Sequence, residues 1–231
     1  MVIFRGTEQG ASLVVARFIS DHPEFVPLYQ FAGEPGFVEF TKTESEFSDA
    51  KVQAELFASL AAIIIHQQLS GKVAKVFEAR LSEACGGVVV PEVVLSLGES
   101  GLRSLGLSNA KTRAVVGLAE EVLRGELSFD AMGEMSDEEI AGRICKLFGF
   151  GPWSAHMFLL FSLGRLNVWA PADLGVRKGY ARLYALDEMP TIREMQELGK
   201  SFEPLASLAT WYLWRVLELP DEVTLGTEKA L

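Results

Sequence analysis

Helix-start and helix-stop signals divide most of this chain into short helical segments. Residues that cap helix N-termini precede several apolar stretches: Ser70, Ser108, Ser136, Asp173 and Thr191. Two runs, 37–40 and 88–90, are rich enough in β-formers to be candidate strands, and both are short. The pattern therefore predicts an all-α architecture, with helices over 48–67, 71–84, 91–97, 99–105, 109–123, 136–147, 152–163, 173–186 and 204–219 and a further helix that starts after 191.

Composition limits the class of protein. The 231 residues are 49% hydrophobic, which is enough to bury a core and excludes a disordered chain. The longest apolar stretch, residues 56–65, is too short to span a membrane, and no secretory signal is visible at the N-terminus. Cys85 and Cys145 are too few for a disulfide framework or a four-cysteine cluster. We therefore expect a cytoplasmic protein, associated with the nucleoid if the source is bacterial, with reduced thiols and no membrane partner.

Charge is distributed unevenly along the chain. A formal net charge of −10 argues against nucleic acid as a partner, because a basic surface is the usual electrostatic footprint. However, residues 63–80 carry 3 basic and 1 acidic group, and residues 138–182 carry 6 basic and 3 acidic groups. Because salt screens charges beyond about 8–10 Å, these two windows can act locally in an acidic protein.

Residues 149–152, Gly-Phe-Gly-Pro, separate two predicted helices. Glycines on both sides of one apolar residue allow a tight turn with exposed backbone N–H groups, and Pro152 suits the first position of the next helix. Together these features can bind one phosphate without a basic side chain. The alternative is an ordinary turn between two helices, and spacing alone does not separate the two.

Three further features of the sequence have both a structural and a functional interpretation. Asp173 precedes a predicted helix, where the helix dipole favours a negative charge, so it is either a simple N-cap or a carboxylate that stabilises positive charge. Residues 66–68, His-Gln-Gln, end a long apolar helix, where the long amides either satisfy helix-end carbonyls or fill the space left by an extruded base. Trp211 and Trp214 share a helix face and are either core or site residues.

No phosphate-binding P-loop, zinc-protease or serine-hydrolase motif is present in the sequence.

Four segments together resemble a known family: AAIIIHQQLSGKVAKVFEARL, LRSLGLSNAKTRAVVGLAEEV, LFGFGPWSAHMFLLFSLGR with APADLGVRKGYARLY, and PLASLATWYLWR. They are similar to the helix-hairpin-helix DNA glycosylases, in particular the 3-methyladenine DNA glycosylase II branch, over roughly residues 50–219. The resemblance implies two helical subdomains with an active cleft between them, a helix-hairpin-helix motif at about 138–163, and an N-terminal segment that packs with the C-terminal helices. It also implies a single glycosylase domain over 1–231, without the extra N-terminal β domain of some members.

The resemblance assigns roles by position. Asp173 falls on the catalytic aspartate, and Gln68 falls on the residue that plugs the minor groove. The phosphate-binding hairpin corresponds to Gly149, Phe150 and Gly151, and the pocket for the damaged base corresponds to Trp153, Met157 and Trp214. In relatives the hairpin carbonyls hold a monovalent cation, Na⁺ or K⁺, and by position these carbonyls belong to Cys145, Leu147 and Phe150. Otherwise no cofactor is implied.

The implied activity is hydrolysis of the N-glycosidic bond of alkylated purines, of the 3-methyladenine and 7-methylguanine type, in damaged double-stranded DNA by a monomer. Relatives that also cut the strand carry a lysine where this chain has Trp153, so the expected product is an intact abasic strand. The chain departs from the family pattern at Phe148, Ala172 and Ala206. Three alternatives stay open: a glycosylase for other base lesions, a non-catalytic helix-hairpin-helix DNA-binding module, and a helical interaction protein that does not bind nucleic acid.

Overall fold

The computed structural model describes residues 8–39, 44–220 and 225, and every regular element in this part of the chain is helical. The α-helices are α1 (Glu8–Asp21), α2 (Val26–Ala32), α3 (Ala50–His66), α4 (Gly71–Ala84), α5 (Pro91–Ser104), α6 (Asn109–Leu123), α7 (Asp137–Ile144), α8 (Pro152–Met157), α9 (Leu174–Leu183), α10 (Ile192–Leu198) and α11 (Ala206–Val216). They belong to two compact units, here called unit 1 (residues 1–41 and 163–231) and unit 2 (residues 42–162). The helical content confirms the predicted fold class.

Unit 2 is built around α3. The Asp49 side chain accepts the N–H groups of Lys51 and Val52 and so caps the first turn of α3. Phe57, Leu60 and other apolar residues of this helix are buried, because α4, α6 and α8 all pack against it. The turn around Gln68, which follows α3, therefore lies in the same unit as α8 and as residues 149–151, which precede α8.

Unit 1 joins the two ends of the chain. Helix α11 packs against α9 and against α2, and the Tyr212 hydroxyl donates a hydrogen bond to the Gly33 carbonyl (3.0 Å). Tyr184 donates to Glu24 (2.6 Å), and burial together with this carboxylate raises the pKa of the phenol, which therefore stays protonated and remains a donor. Thus the N-terminal segment packs with the C-terminal helices, as the resemblance implies.

Several helix boundaries agree closely with the sequence. Helices α4 and α6 have the predicted limits, and α5 contains the non-helical residue Gly98 (φ 62°) where the sequence predicts a break between two short helices. The capping boxes of Ser136 and Thr191 are both present. No described helix is long and apolar enough to cross a membrane.

Other predictions are wrong. The residues of run 37–40 that the structure describes lie in a short 3₁₀ helix, Gly36–Glu39, and residues 88–90 have no regular structure, because the described residues contain no strand to pair with either run. The last helix starts at Ala206 rather than at Pro204. Helix α8 ends at Met157 and continues to Ser162 as a π-helix, α7 ends at Ile144, and α9 ends at Leu183. The sequence analysis did not predict α1 or α2.

Gly179 on α9 tests the packing of α9 against α11. A Cβ added there would overlap the backbone carbonyl of Leu213, whereas a Cβ on Gly142 of α7 meets no atom within 4 Å. We expect Gly179→Ala to lower the free energy of unfolding by about 2–3 kcal/mol. Gly142→Ala, the matched control, raises it by about 0.5–1 kcal/mol because alanine is the better helix former. Urea denaturation of both variants measures this, and equal stabilities would contradict the packing described.

Candidate nucleic-acid and catalytic site

The hairpin connects α7 to α8 and contains one glycine that the backbone requires. Gly149 has φ 86°, and a Cβ added there would lie 2.9 Å from Cβ of Ala114. Gly151 instead has φ −141°, and a Cβ on it meets no atom within 4 Å. The sequence predicts that both glycines shape the turn, but only Gly149 is conformationally restricted. Phe150, between them, is buried and anchors the turn in unit 2.

The predicted cation ligands lie in this same turn. The Leu147 carbonyl accepts the N–H of Phe150 (3.1 Å), whereas none of the turn's backbone hydrogen bonds uses the carbonyls of Cys145 or Phe150. The described residues include no group of three or more His, Cys, Asp or Glu side chains arranged to hold a metal ion. A cation at the hairpin would therefore depend on carbonyl oxygens, which are hard ligands suited to Na⁺ or K⁺.

The turn after α3 carries Gln68, which is exposed and has φ 59°. Positive φ in a residue other than glycine is uncommon and is often found at functional sites. The neighbouring Gln67 holds this turn to the hairpin, because its amide donates to the Gly149 carbonyl (2.9 Å) and to the Ser154 hydroxyl (3.1 Å). Within unit 2, the predicted minor-groove plug and the predicted phosphate-binding hairpin are thus directly connected.

A lysine that the sequence analysis did not single out supports the same turn. Lys111 Nζ donates to the carbonyls of Ile65 (2.6 Å) and Gln67 (2.9 Å), so it satisfies backbone groups at the end of α3. Burial lowers the pKa of this ammonium group. His66 lies at the same helix end and has its Nε2 3.2 Å from Oε2 of Glu78.

The predicted catalytic aspartate is held by two donors in unit 1. Asp173 Oδ1 accepts the backbone N–H of Val176 (2.8 Å) and the indole N–H of Trp214 (2.9 Å). The residue therefore caps α9, and the second hydrogen bond fixes its carboxylate in one orientation. Trp214 is half-buried, and its indole also packs beside Gly175 at the start of α9.

Gly175 makes this arrangement possible, and sequence reasoning missed it. A Cβ at Gly175 would lie 2.8 Å from Cδ1 of Trp214 and 3.1 Å from Oδ1 of Asp173. Only a residue without a side chain leaves room for the indole beside the start of α9. The only local signal in the sequence is Asp173, a helix-start residue two positions before Gly175. That signal does not reveal that the indole of Trp214 packs against Gly175.

The two remaining predicted pocket residues share one face of α8. Trp153 is half-buried, and Met157, four residues later, is buried. His156 lies beside them, with a buried Nδ1 that has no hydrogen-bond partner among the described residues. Burial lowers the pKa of His156, so its imidazole is neutral near pH 7 and adds no positive charge to this face.

With this geometry established, similarity to known proteins identifies the family. A model of the HhH-GPD superfamily of base excision DNA repair proteins matches residues 61–204, which include the hairpin, Gln68 and Asp173. The chain belongs to this superfamily.

Named relatives and a solved structure agree with this assignment. The chain is 35% identical, over 67% of its length, to YfjP of Bacillus subtilis, which is provisionally named a DNA-3-methyladenine glycosylase, and the match spans 56% of that protein. It is 29% identical to DNA-3-methyladenine glycosylase 1 of Schizosaccharomyces pombe, over 72% of this chain and 75% of that one. The structure superimposes on the S. pombe 3-methyladenine DNA glycosylase Mag1, solved in complex with abasic DNA, with a TM-score of 0.72 and 26% identity, covering 87% of this chain and 94% of that one.

Gly149 and Gly151 provide a matched pair for testing the hairpin. Because of its positive φ and its proximity to Ala114, we expect Gly149→Ala to lower the free energy of unfolding by about 1–3 kcal/mol. Gly151→Ala, in an extended and open position, should change it by less than about 0.5 kcal/mol. Urea denaturation distinguishes the two, and a larger loss for Gly151→Ala would contradict the turn conformation described.

Proposed function

We propose that this protein is a monofunctional DNA glycosylase that removes alkylated purines, such as 3-methyladenine and 7-methylguanine, from double-stranded DNA and leaves an abasic site. The observation that carries the proposal is the Asp173 carboxylate, held by Val176 and Trp214 within a chain of the HhH-GPD superfamily. The names of the relatives supply the substrate class, since they are 3-methyladenine glycosylases.

The chemistry of the substrate explains why one carboxylate is sufficient. A purine alkylated at N3 or N7 is positively charged while it is attached to deoxyribose, and it departs as a neutral base. The leaving group is therefore already activated, and no general acid is essential. What must be stabilised is an oxocarbenium-like sugar, and a carboxylate of fixed orientation provides the opposite charge. We assign this role to Asp173.

The other site residues serve binding. In this proposal Gly149, Phe150 and Gly151 contact a DNA phosphate through the backbone, and Gln68 fills the space that the extruded base leaves. Trp153, Met157 and Trp214 bind the base, and the faces of the two indoles favour an electron-poor purine by about 0.5–2 kcal/mol each. The carbonyls of Cys145, Leu147 and Phe150 would hold Na⁺ or K⁺. Such an ion would neutralise negative charge next to the bound phosphate.

The proposal includes the setting in which the enzyme works. We infer that it acts as a monomer on damaged duplex DNA inside the cell, in the cytoplasm or at the nucleoid, and that residues 1–231 function as one glycosylase domain with its helix-hairpin-helix at about 138–163. The superfamily's description as base excision DNA repair proteins and the complex of Mag1 with abasic DNA support DNA as the partner.

Replacing Asp173 with asparagine tests the catalytic role. Asparagine has nearly the same shape, still caps α9 and still accepts the indole N–H, so the variant should fold and bind abasic-analogue DNA at least as well. Without the negative charge, we expect single-turnover excision of 7-methylguanine to slow by about 10²–10³-fold or more. A folded, DNA-binding Asp173→Asn with near wild-type excision would show that the carboxylate is only a cap.

The product distinguishes this activity from combined glycosylase and strand-cleaving activity. Trp153 has no amine and cannot form a Schiff base with the abasic sugar, so borohydride should trap no covalent protein–DNA adduct. A bifunctional glycosylase treated in parallel is the positive control. A strong adduct band would mean that a lysine such as Lys178 forms the Schiff base, and Lys178→Ala would then identify it.

A further inference from the structure

A groove in unit 2 begins beside the hairpin and contains a basic group that the proposed function does not yet use. The groove has a volume of about 680 Å³ and runs along α6. Arg113 and Phe148 lie at the hairpin end, and Arg124 lies at the other end of α6, eleven residues further on, which corresponds to about 16 Å along the helix.

The side chain of Arg113 is held against an exposed aromatic ring. Its guanidinium carbon lies 3.9 Å from the centroid of the Phe148 ring, and the ring is 46% exposed. Stacking uses one face of the planar guanidinium and leaves the N–H donors at its edges directed outward. Phe148 is also one of the positions at which the chain departs from the family pattern.

Charge differs between the two ends of the groove. Arg124 is paired with Glu120 and Glu121, so its charge is balanced. Arg113, in contrast, has no carboxylate partner in the described part of the chain, and neither do Arg143 and Lys146, which line the same groove. The groove also contains Glu99 and Glu126, which form no ion pair with these cations. Unpaired positive charge is therefore available near the hairpin.

Arg113 is adjacent to the hairpin itself. The next residue, Ala114, is the one whose Cβ would contact a side chain added at Gly149, and Phe148 immediately precedes that glycine. The Arg113–Phe148 pair therefore lies next to the hairpin turn, which in the proposed function binds a phosphate. A guanidinium binds phosphate oxygens with two parallel hydrogen bonds, which is the geometry that a stacked, oriented arginine provides.

We propose that Arg113, oriented by Phe148, binds a second backbone phosphate of the duplex next to the phosphate on the hairpin. The proposal rests on the proposed function, since it assumes that the hairpin contacts DNA. It identifies the partner of this end of the groove as a phosphodiester and gives an acidic protein an additional short-range contact with DNA.

Equilibrium binding of a duplex with a tetrahydrofuran abasic analogue, measured by fluorescence anisotropy over a range of salt concentrations, tests the proposal. We expect Arg113→Gln to weaken binding about three- to tenfold near 0.1 M salt and to reduce the log–log salt slope by about 0.9, the value for one phosphate. Arg113→Lys keeps the slope and loses less affinity, because it retains the charge but not the planar stack.

Two further variants separate this contact from general charge effects. Arg124→Gln removes one positive charge from the other end of the same groove and should leave the affinity and the slope unchanged. Phe148→Leu should weaken binding in the wild-type background but not in Arg113→Gln, because the ring acts only through the guanidinium. Equal losses for Arg124→Gln and Arg113→Gln would overturn the proposal, and so would additive effects of Phe148→Leu and Arg113→Gln.

Binding and excision by the wild-type protein show whether a failure concerns the Arg113 phosphate contact alone or the proposed function as well. If wild-type protein binds the abasic duplex and excises 7-methylguanine while Arg113→Gln keeps the full salt slope, the phosphate contact is wrong and the proposed function stands. If wild-type protein neither binds nor excises, both are wrong. Thermal unfolding checks that each variant is folded. If Arg113→Gln were unfolded, the affinity of Arg113→Lys and the comparison of Phe148→Leu with wild type would decide whether Arg113 contacts a phosphate.

Discussion

The close approach of α9 and α11 in unit 1 determines where the key carboxylate lies. Gly175 and Gly179 are one helical turn apart on α9, and each leaves space that α11 occupies: the indole of Trp214 beside the first, and the Leu213 backbone beside the second. Since neither position has a side chain, Trp214 reaches the start of α9 and donates to Asp173. The orientation of the proposed catalytic group is thus a consequence of backbone packing between two helices.

In unit 2, a small number of contacts positions the two turns that we propose bind DNA. The turn that carries Gln68 and the turn that carries Gly149 are far apart in the sequence, yet the Gln67 side chain hydrogen-bonds to the Gly149 carbonyl. Lys111 satisfies the carbonyls at the end of α3, and Ala114, one turn further along α6, packs against the hairpin. Because these contacts hold both turns in the protein alone, the DNA binding that we propose would have to overcome a smaller loss of conformational entropy.

The electrostatics of the protein are local rather than global. The chain carries a formal net charge of −10, and the window that contains Arg113, residues 81–137, has 4 basic and 9 acidic groups. The net negative charge of this window therefore gives no indication of the positive charge that Arg113 presents beside the hairpin. Folding pairs Arg124 with glutamates and leaves Arg113 stacked on Phe148, so groups from one acidic segment have different electrostatic environments. Over distances longer than the Debye length, the net charge has little influence on such contacts.

The sequence by itself determined the helical architecture, the limits of α4 and α6, the capping boxes and the position of the hairpin, because caps, glycines and apolar periodicity act over a few residues. The motif order was also enough to indicate the family, and with it the candidate residue Asp173. Only the tertiary structure decided that Gly149, rather than Gly151, shapes the turn, that residues 37–39 and 88–90 form no strand, and that Gly175 admits the indole of Trp214. Each of these outcomes depends on atoms brought together from distant parts of the chain, and local sequence preferences carry no information about such neighbours.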